Sequence, residues 1–176
     1  MAASRELSIY LRDHMSGSVL GRDLARRAAG ANEGSDYGEE LARIAAEIDE
    51  DRDALATVMS LLGVSRNPVK EAGAWAGEKL GRLKLNGRLT GYSPLSRLVE
   101  LEGLMLGVSG KAGLWTALKE SGALEAHRSE IDLDLLIERA ASQRDRLEAM
   151  RRRAAREALV DPGPEPVAGE GAPRAT

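Results

Sequence analysis

The 176-residue chain has no cysteine, no phenylalanine, two histidines and only 3% aromatic residues. Without cysteine there can be no disulfide, thiolate zinc site or cysteine nucleophile. Histidine is confined to His14 and His127, so histidine-rich metal sites are excluded as well. A core lacking Phe has to be built from Leu, Ile, Val, Met and Ala, a set that favours helices over sheets. There is no basic surplus either. Lys and Arg number 25 against 28 Asp and Glu, a net charge of -3, which argues against a general nucleic-acid binder. No apolar run approaches the ~18 residues of a membrane span, and residues 1–20 show no signal-peptide pattern. The expectation is a cytoplasmic protein with neither membrane nor nucleic acid as partner.

Proline is scarce and unevenly placed. Pro68 and Pro94 stand alone, and the other four fall in "DPGPEPVAGEGAPRAT", residues 161–176. That stretch has too few apolar groups to offset the entropy of ordering. Residues 1–159 are expected to form one helical bundle domain, and residues 160–176 a disordered Pro/Gly-rich tail.

Four long helical segments follow from periodicity and punctuation. The first runs from about Ser4 to Ala29, with Leu7, Leu11, His14, Gly21, Ala25 and Ala28 on one stripe. "GANEGSDYG" reads as a loop, and Asp36 with Glu39 as a capping box for the second helix. That helix carries Leu41, Ile44, Ile48, Asp51, Leu55, Met59 and Leu62 at three- and four-residue steps, and Gly63 is its stop. Ser93-Pro94 opens the third as N-cap and first-turn proline. It continues through Leu95, Leu98, Glu102, Met105 and Trp115 to a stop near Gly122. The fourth starts near Leu124 and enters the arginine-rich "MRRRAAREAL".

The connections within each pair are short, whereas about 30 residues separate helices two and three. Asn67-Pro68 can cap a shorter helix there, and Trp75 with Ala72, Ala76, Leu80 and Leu83 would staple it to the bundle. One long crossover in a four-helix bundle is the connectivity of ferritin-like folds. On this helix count and crossover placement, the chain resembles the ferritin-like superfamily, including its small bacterial stress-protein members. The resemblance implies an all-α bundle with a helical crossover between helices two and three, and a stress-related role.

Polar residues on the apolar stripes bear on function, because an unpaired buried charge costs several kcal/mol. Asp51 is in line with Ile44, Ile48 and Leu55, with Glu47 at the margin. Glu102 falls among Leu95, Leu98 and Met105, whereas Glu100 points outward. His14 sits in the first stripe beside Asp13. On helix four, one stripe (Leu133, Leu136, Ala140, Arg144, Leu147) brings an arginine inward, and the opposite one (Leu124, Ile131, Leu135, Glu138) brings a carboxylate. The first is the longer apolar run.

The resemblance implies a pair of iron or manganese ions held by one Glu from each of two helices and a Glu-x-x-His pair from each of the others. Glu102 matches the helix-three glutamate, and Glu47 or Asp51 the helix-two carboxylate, but no Glu-x-x-His occurs in the sequence. The leading reading is therefore non-enzymatic and free of cofactors. In it Arg144 bridges Asp51 and Glu102, and His14 completes a buried polar cluster. The alternative is a carboxylate-bridged iron or manganese protein using Glu47, Asp51, Glu102, His14 and Glu138. A third reading is a partner-binding helical module.

Glycines recur inside the helices, Gly17 and Gly21 on the first and Gly103, Gly107, Gly110 and Gly113 on the third. An interior glycine costs ~1 kcal/mol relative to alanine, so close packing of backbones, or space cleared for a ligand, is expected. Trp115 would cover a bundle end or face a second subunit, which makes a homodimer the expected assembly.

Overall fold

The computed structural model describes residues 3–65 and 92–160. The expectations for the Asn67-Pro68 and Trp75 segment, and for the tail beyond Val160, lie outside the described residues. Within them the protein is all-α, with four long helices and no strand: α1 (Arg5–Ala31), α2 (Asp36–Leu61), α3 (Pro94–Glu120) and α4 (Leu133–Leu159). Among the described residues no helix is long and apolar enough to cross a membrane.

Helix ends follow local chemistry. The Ser4 hydroxyl caps α1 by accepting from Leu7 N, and Ser93 caps α3 by accepting from Ser96 N with Pro94 just inside. At α2 the cap is one residue earlier than the Asp36–Glu39 box suggests. Ser35 is the extended residue (φ -118°, ψ 162°), and its hydroxyl accepts from Gly38 N. Asp36 and Glu39 instead sit in the first turn, where their charges complement the helix dipole. Gly63 (φ 67°) and Gly122 (φ 66°) end α2 and α3 in the left-handed region that glycine tolerates. The fourth helix starts later than Leu124, because a 3₁₀ turn (Glu125–His127) intervenes and Asp132 supplies the cap that nucleates α4.

α1 packs most closely on α2, and α3 on α4. The helix directions can be read from ion pairs. Arg27 near the end of α1 meets Glu100 near the start of α3, so these two are antiparallel. Asp36 meets Arg153 and Glu50 meets Arg139, so α2 and α4 are antiparallel too. The end of α2 and the start of α3 therefore lie at opposite ends of the bundle.

The core has two halves. One, at the α1–α2 turn, gathers Leu24, Leu41, Ile44, Leu98, Leu101 and Leu147. The other, at the α3–α4 turn, gathers Leu11, Leu55, Met59, Leu114, Trp115 and Leu136. Each fully buried Leu contributes about 1.5–3 kcal/mol. Between the halves lies a polar layer.

Candidate functional site

Asp51 is the centre of that layer. It occupies a core position of α2 and is 2% exposed. Its Oδ2 accepts from Gln143 Nε2 at 3.2 Å and from Lys111 Nζ. Its Oδ1 lies 2.6 Å from Arg139 Nη2, an ion contact off the N–H axis. Both carboxylate oxygens are thus occupied by cations. Lys111 reaches in from α3, and burial holds its amine below the usual lysine range, an effect partly opposed by the Asp51 charge.

Gln143, fully buried on α4, ties the layer together. Its Oε1 accepts from Lys111 at 2.5 Å, while Nε2 donates to Glu47 at 2.9 Å as well as to Asp51. Glu47 also receives Arg146, whose other nitrogen meets Glu40 at 2.9 Å. Arg139 extends to Glu50 at 2.6 Å. The result is a lattice of alternating charge along the α2–α4 seam. Long side chains bridge this seam, where the two helices approach each other less closely than the helices within either hairpin.

Only part of the expected cluster is present. Asp51 is buried and ion-paired, and Glu47 joins the same lattice. Glu102 does not, since its side chain is half exposed and its nearest cation is Arg151 at 3.9 Å. Arg144 likewise points outward, toward Asp145 at 3.7 Å. Each is one residue, about 100°, away from the inward position. The buried stripe of α3 runs Leu101, Leu104, Val108, Lys111, Trp115, Leu118, and that of α4 runs Leu136, Ala140, Gln143, Leu147. Seven-residue steps, Leu104–Lys111–Leu118 and Leu136–Gln143–Met150, are the sequence signal that picks out Lys111 and Gln143.

Glu138 is exposed on α4, and Leu135, on the same rejected stripe, is 57% exposed. His14 is half-buried, stacked edge-on against Tyr10 at 4.6 Å, and among the described residues it makes no bond to Asp51. Burial pushes its imidazole below the usual range, with Asp13 opposing. Glu47, Asp51, Glu102, His14 and Glu138 therefore do not converge. Among the described residues no group of three or more His, Asp or Glu is placed to hold a metal ion. Trp115 is 1% exposed in the core, so it offers no face to a second subunit.

Glu100 is a second correction, being buried rather than outward-facing. At the α1–α2 turn end its oxygens accept from Arg27 Nε at 3.0 Å and from the Tyr92 hydroxyl at 2.9 Å. Asn32, also buried, donates to Tyr92 and to Ala28 O, and its Oδ1 accepts from Arg97. The Arg97 and Arg153 guanidiniums lie over the Tyr37 ring at 4.4 and 4.7 Å. This network locks all four helices at one end.

The glycines also behave differently from close-packing contacts. A Cβ at Gly103 would meet Leu24 at 3.1 Å, but at Gly17, Gly21, Gly107 or Gly110 it would meet nothing within 4 Å among the described residues. These four border a cavity of about 460 Å³ between α1 and α3, floored by Ile48, Asp51 and Leu55 of α2.

No family model matches the chain, and no curated protein or solved structure matches it significantly.

Proposed function

We propose that the chain is a non-enzymatic bundle protein of ferritin-like connectivity, with a fixed ion-pair lattice where that family holds its metals, and that it acts through binding or assembly. The observation that carries this reading is the double occupation of Asp51 by Lys111 and Arg139. A dication at Asp51 would have to displace both cations from a buried carboxylate, leaving Lys111 with only the neutral Gln143 amide and Arg139 with only Glu50, at a cost of several kcal/mol for the stranded lysine. Glu47 is committed to Arg146 and Gln143 in the same way. The ferritin-like connectivity is supported by the opposite-end placement of Leu61 and Pro94, which calls for a crossover the length of the bundle. A stress-related role follows from that resemblance alone.

The test is metal content by mass spectrometry on protein expressed with added iron and manganese, then passed over a chelator column. The expected result is metal-free, folded protein whose melting curve does not respond to either metal. Near-stoichiometric iron or manganese that disappears in Asp51→Ala would overturn the proposal in favour of a carboxylate-bridged metal protein.

A further inference from the structure

We infer that the cavity between α1 and α3 is a binding site for a small organic acid, an apolar body that ends in one carboxylate. The inference gives a ligand class to the binding reading above, and rests on it only in treating the Asp51 lattice as already neutralised.

The first argument is the space itself. At about 460 Å³ the cavity falls within the ~300–1,000 Å³ of small-molecule sites. Leu55, Leu104, Val108 and Leu114 wall it. Gly17 and Gly21 border it from α1, Gly107 and Gly110 from α3. Glycine inside a helix weakens it, and among the described residues nothing stands within 4 Å of where their Cβ atoms would be. Close helix packing therefore does not account for these four positions, whereas larger side chains there would take up the space. Leu106, 77% exposed, and Tyr10 carry the apolar surface out to the rim. Exposed apolar surface around a concave site marks a place where a ligand, not water, is the better partner.

The second argument is the set of unanswered donors. Trp115, 1% exposed, forms part of the cavity wall, and its buried indole N–H has no acceptor among the described residues. Arg52, reaching the cavity from α2, has a buried Nε in the same condition. Buried donors without acceptors are rare in folded proteins. An incoming group with acceptor oxygens answers both.

Charge selects a carboxylate among such groups. Lys111 and Arg139 share Asp51, and Arg146 holds Glu47 and Glu40. Asp51 also borders the cavity, but with a cation on each oxygen it presents no net charge to repel an anion. Asp13 is exposed at the rim, where water screens it. His14 is held below the usual imidazole range by burial, with Asp13 opposing, and is a neutral wall at neutral pH. The Arg52 guanidinium is the permanent charge left to recognise a ligand head, and its fork matches a carboxylate.

The experiment titrates the full chain, passed over a chelator column, with decanoate and with decanol by calorimetry, both below their micelle or solubility limits. The expected result is one decanoate per chain, bound about tenfold tighter than decanol, the ratio that one charge-assisted hydrogen bond supplies. Arg52→Gln should bring the two ligands to within about twofold of each other, and Gly107→Leu, which fills the cavity, should abolish binding of both. Thermal melts check that both variants fold, and Gly21→Leu serves as the filling variant if Gly107→Leu does not. Absence of decanoate binding would overturn the inference while leaving the metal-free lattice untouched. Equal affinity for acid and alcohol would overturn it too, since the cavity would then be apolar without selecting a carboxylate. Binding that survives both filling variants would place the acid elsewhere on the surface, again overturning it.

Discussion

Lys111 on α3 and Arg139 on α4 close on opposite oxygens of the Asp51 carboxylate. A buried carboxylate on α2 is thereby satisfied by cations from both helices of the other hairpin, so the two hairpins are locked in one register at their midpoint. Removing one partner strands the rest. Asp51→Ala is expected to destabilise by about 3–5 kcal/mol in denaturant unfolding, with or without chelator. Asp51→Leu combined with Lys111→Met should cost clearly less than the two single changes added together, because the buried charges leave as a pair. Additive losses would show that the lattice is not coupled.

Gln143 makes no charge of its own yet connects Lys111, Asp51 and Glu47. Gln143→Leu keeps the volume and removes the bonds, and should cost about 1–3 kcal/mol by leaving buried partners short of a contact. Glu102→Ala and Arg144→Ala, on the outward faces, should each stay within about 0.5 kcal/mol of the native chain. Urea titrations of the three variants check the contrast.

Tyr92 gives the layer at the α1–α2 turn a spectroscopic signature. Burial, together with the charge and bond of Glu100 and against the Asn32 bond, pushes its hydroxyl up to about 12. Burial also raises Tyr37. A hydroxyl whose folded value lies above the unfolded 10 stabilises the fold fully below that pH, and the contribution fades as pH rises from about 10 to 12. Tyrosinate absorbance should therefore show a late step near pH 12 that is missing in Tyr92→Phe. Its persistence in that variant would assign the step elsewhere.

Among the described residues, Gly38 is the one glycine whose side-chain space is taken by backbone. A Cβ there would overlap the Asn32 carbonyl oxygen and lie 2.8 Å from its carbon. Gly38→Ala must open the α1–α2 turn and is expected to lower stability by about 1–3 kcal/mol. At Gly103 the obstacle is only the end of the Leu24 side chain, so Gly103→Ala should be within about 1 kcal/mol of neutral, helped by helix propensity. Thermal melts of the two variants measure the difference.

The four long helices of the described residues, most of their ends and the burial of Asp51 are all visible along the chain. Ser4, Ser93-Pro94, Gly63 and Gly122 act on their immediate neighbours, so their effect can be read locally. Asp51 is legible because Ile44, Ile48 and Leu55 flank it at helical steps, with few apolar residues elsewhere on α2 to suggest another phase. On α3 the opposite holds. Leu95, Leu98, Leu101, Leu104 and Leu106 cover several faces, so a stripe begun at Leu95, which is 36% exposed, draws Glu102 inward and turns Glu100 outward. The true phase is one residue away. The same one-residue ambiguity separates Arg144 from Gln143 on α4.

What the sequence by itself determined is thus an all-α chain in two hairpins with a carboxylate buried on the second helix, because periodicity and capping are properties of single segments. Which cations answer that carboxylate was decided only by the tertiary structure. The choice of Lys111 and Arg139 depends on the rotation and register of α3 and α4 against α2, and those are set by side chains from all four helices packing together.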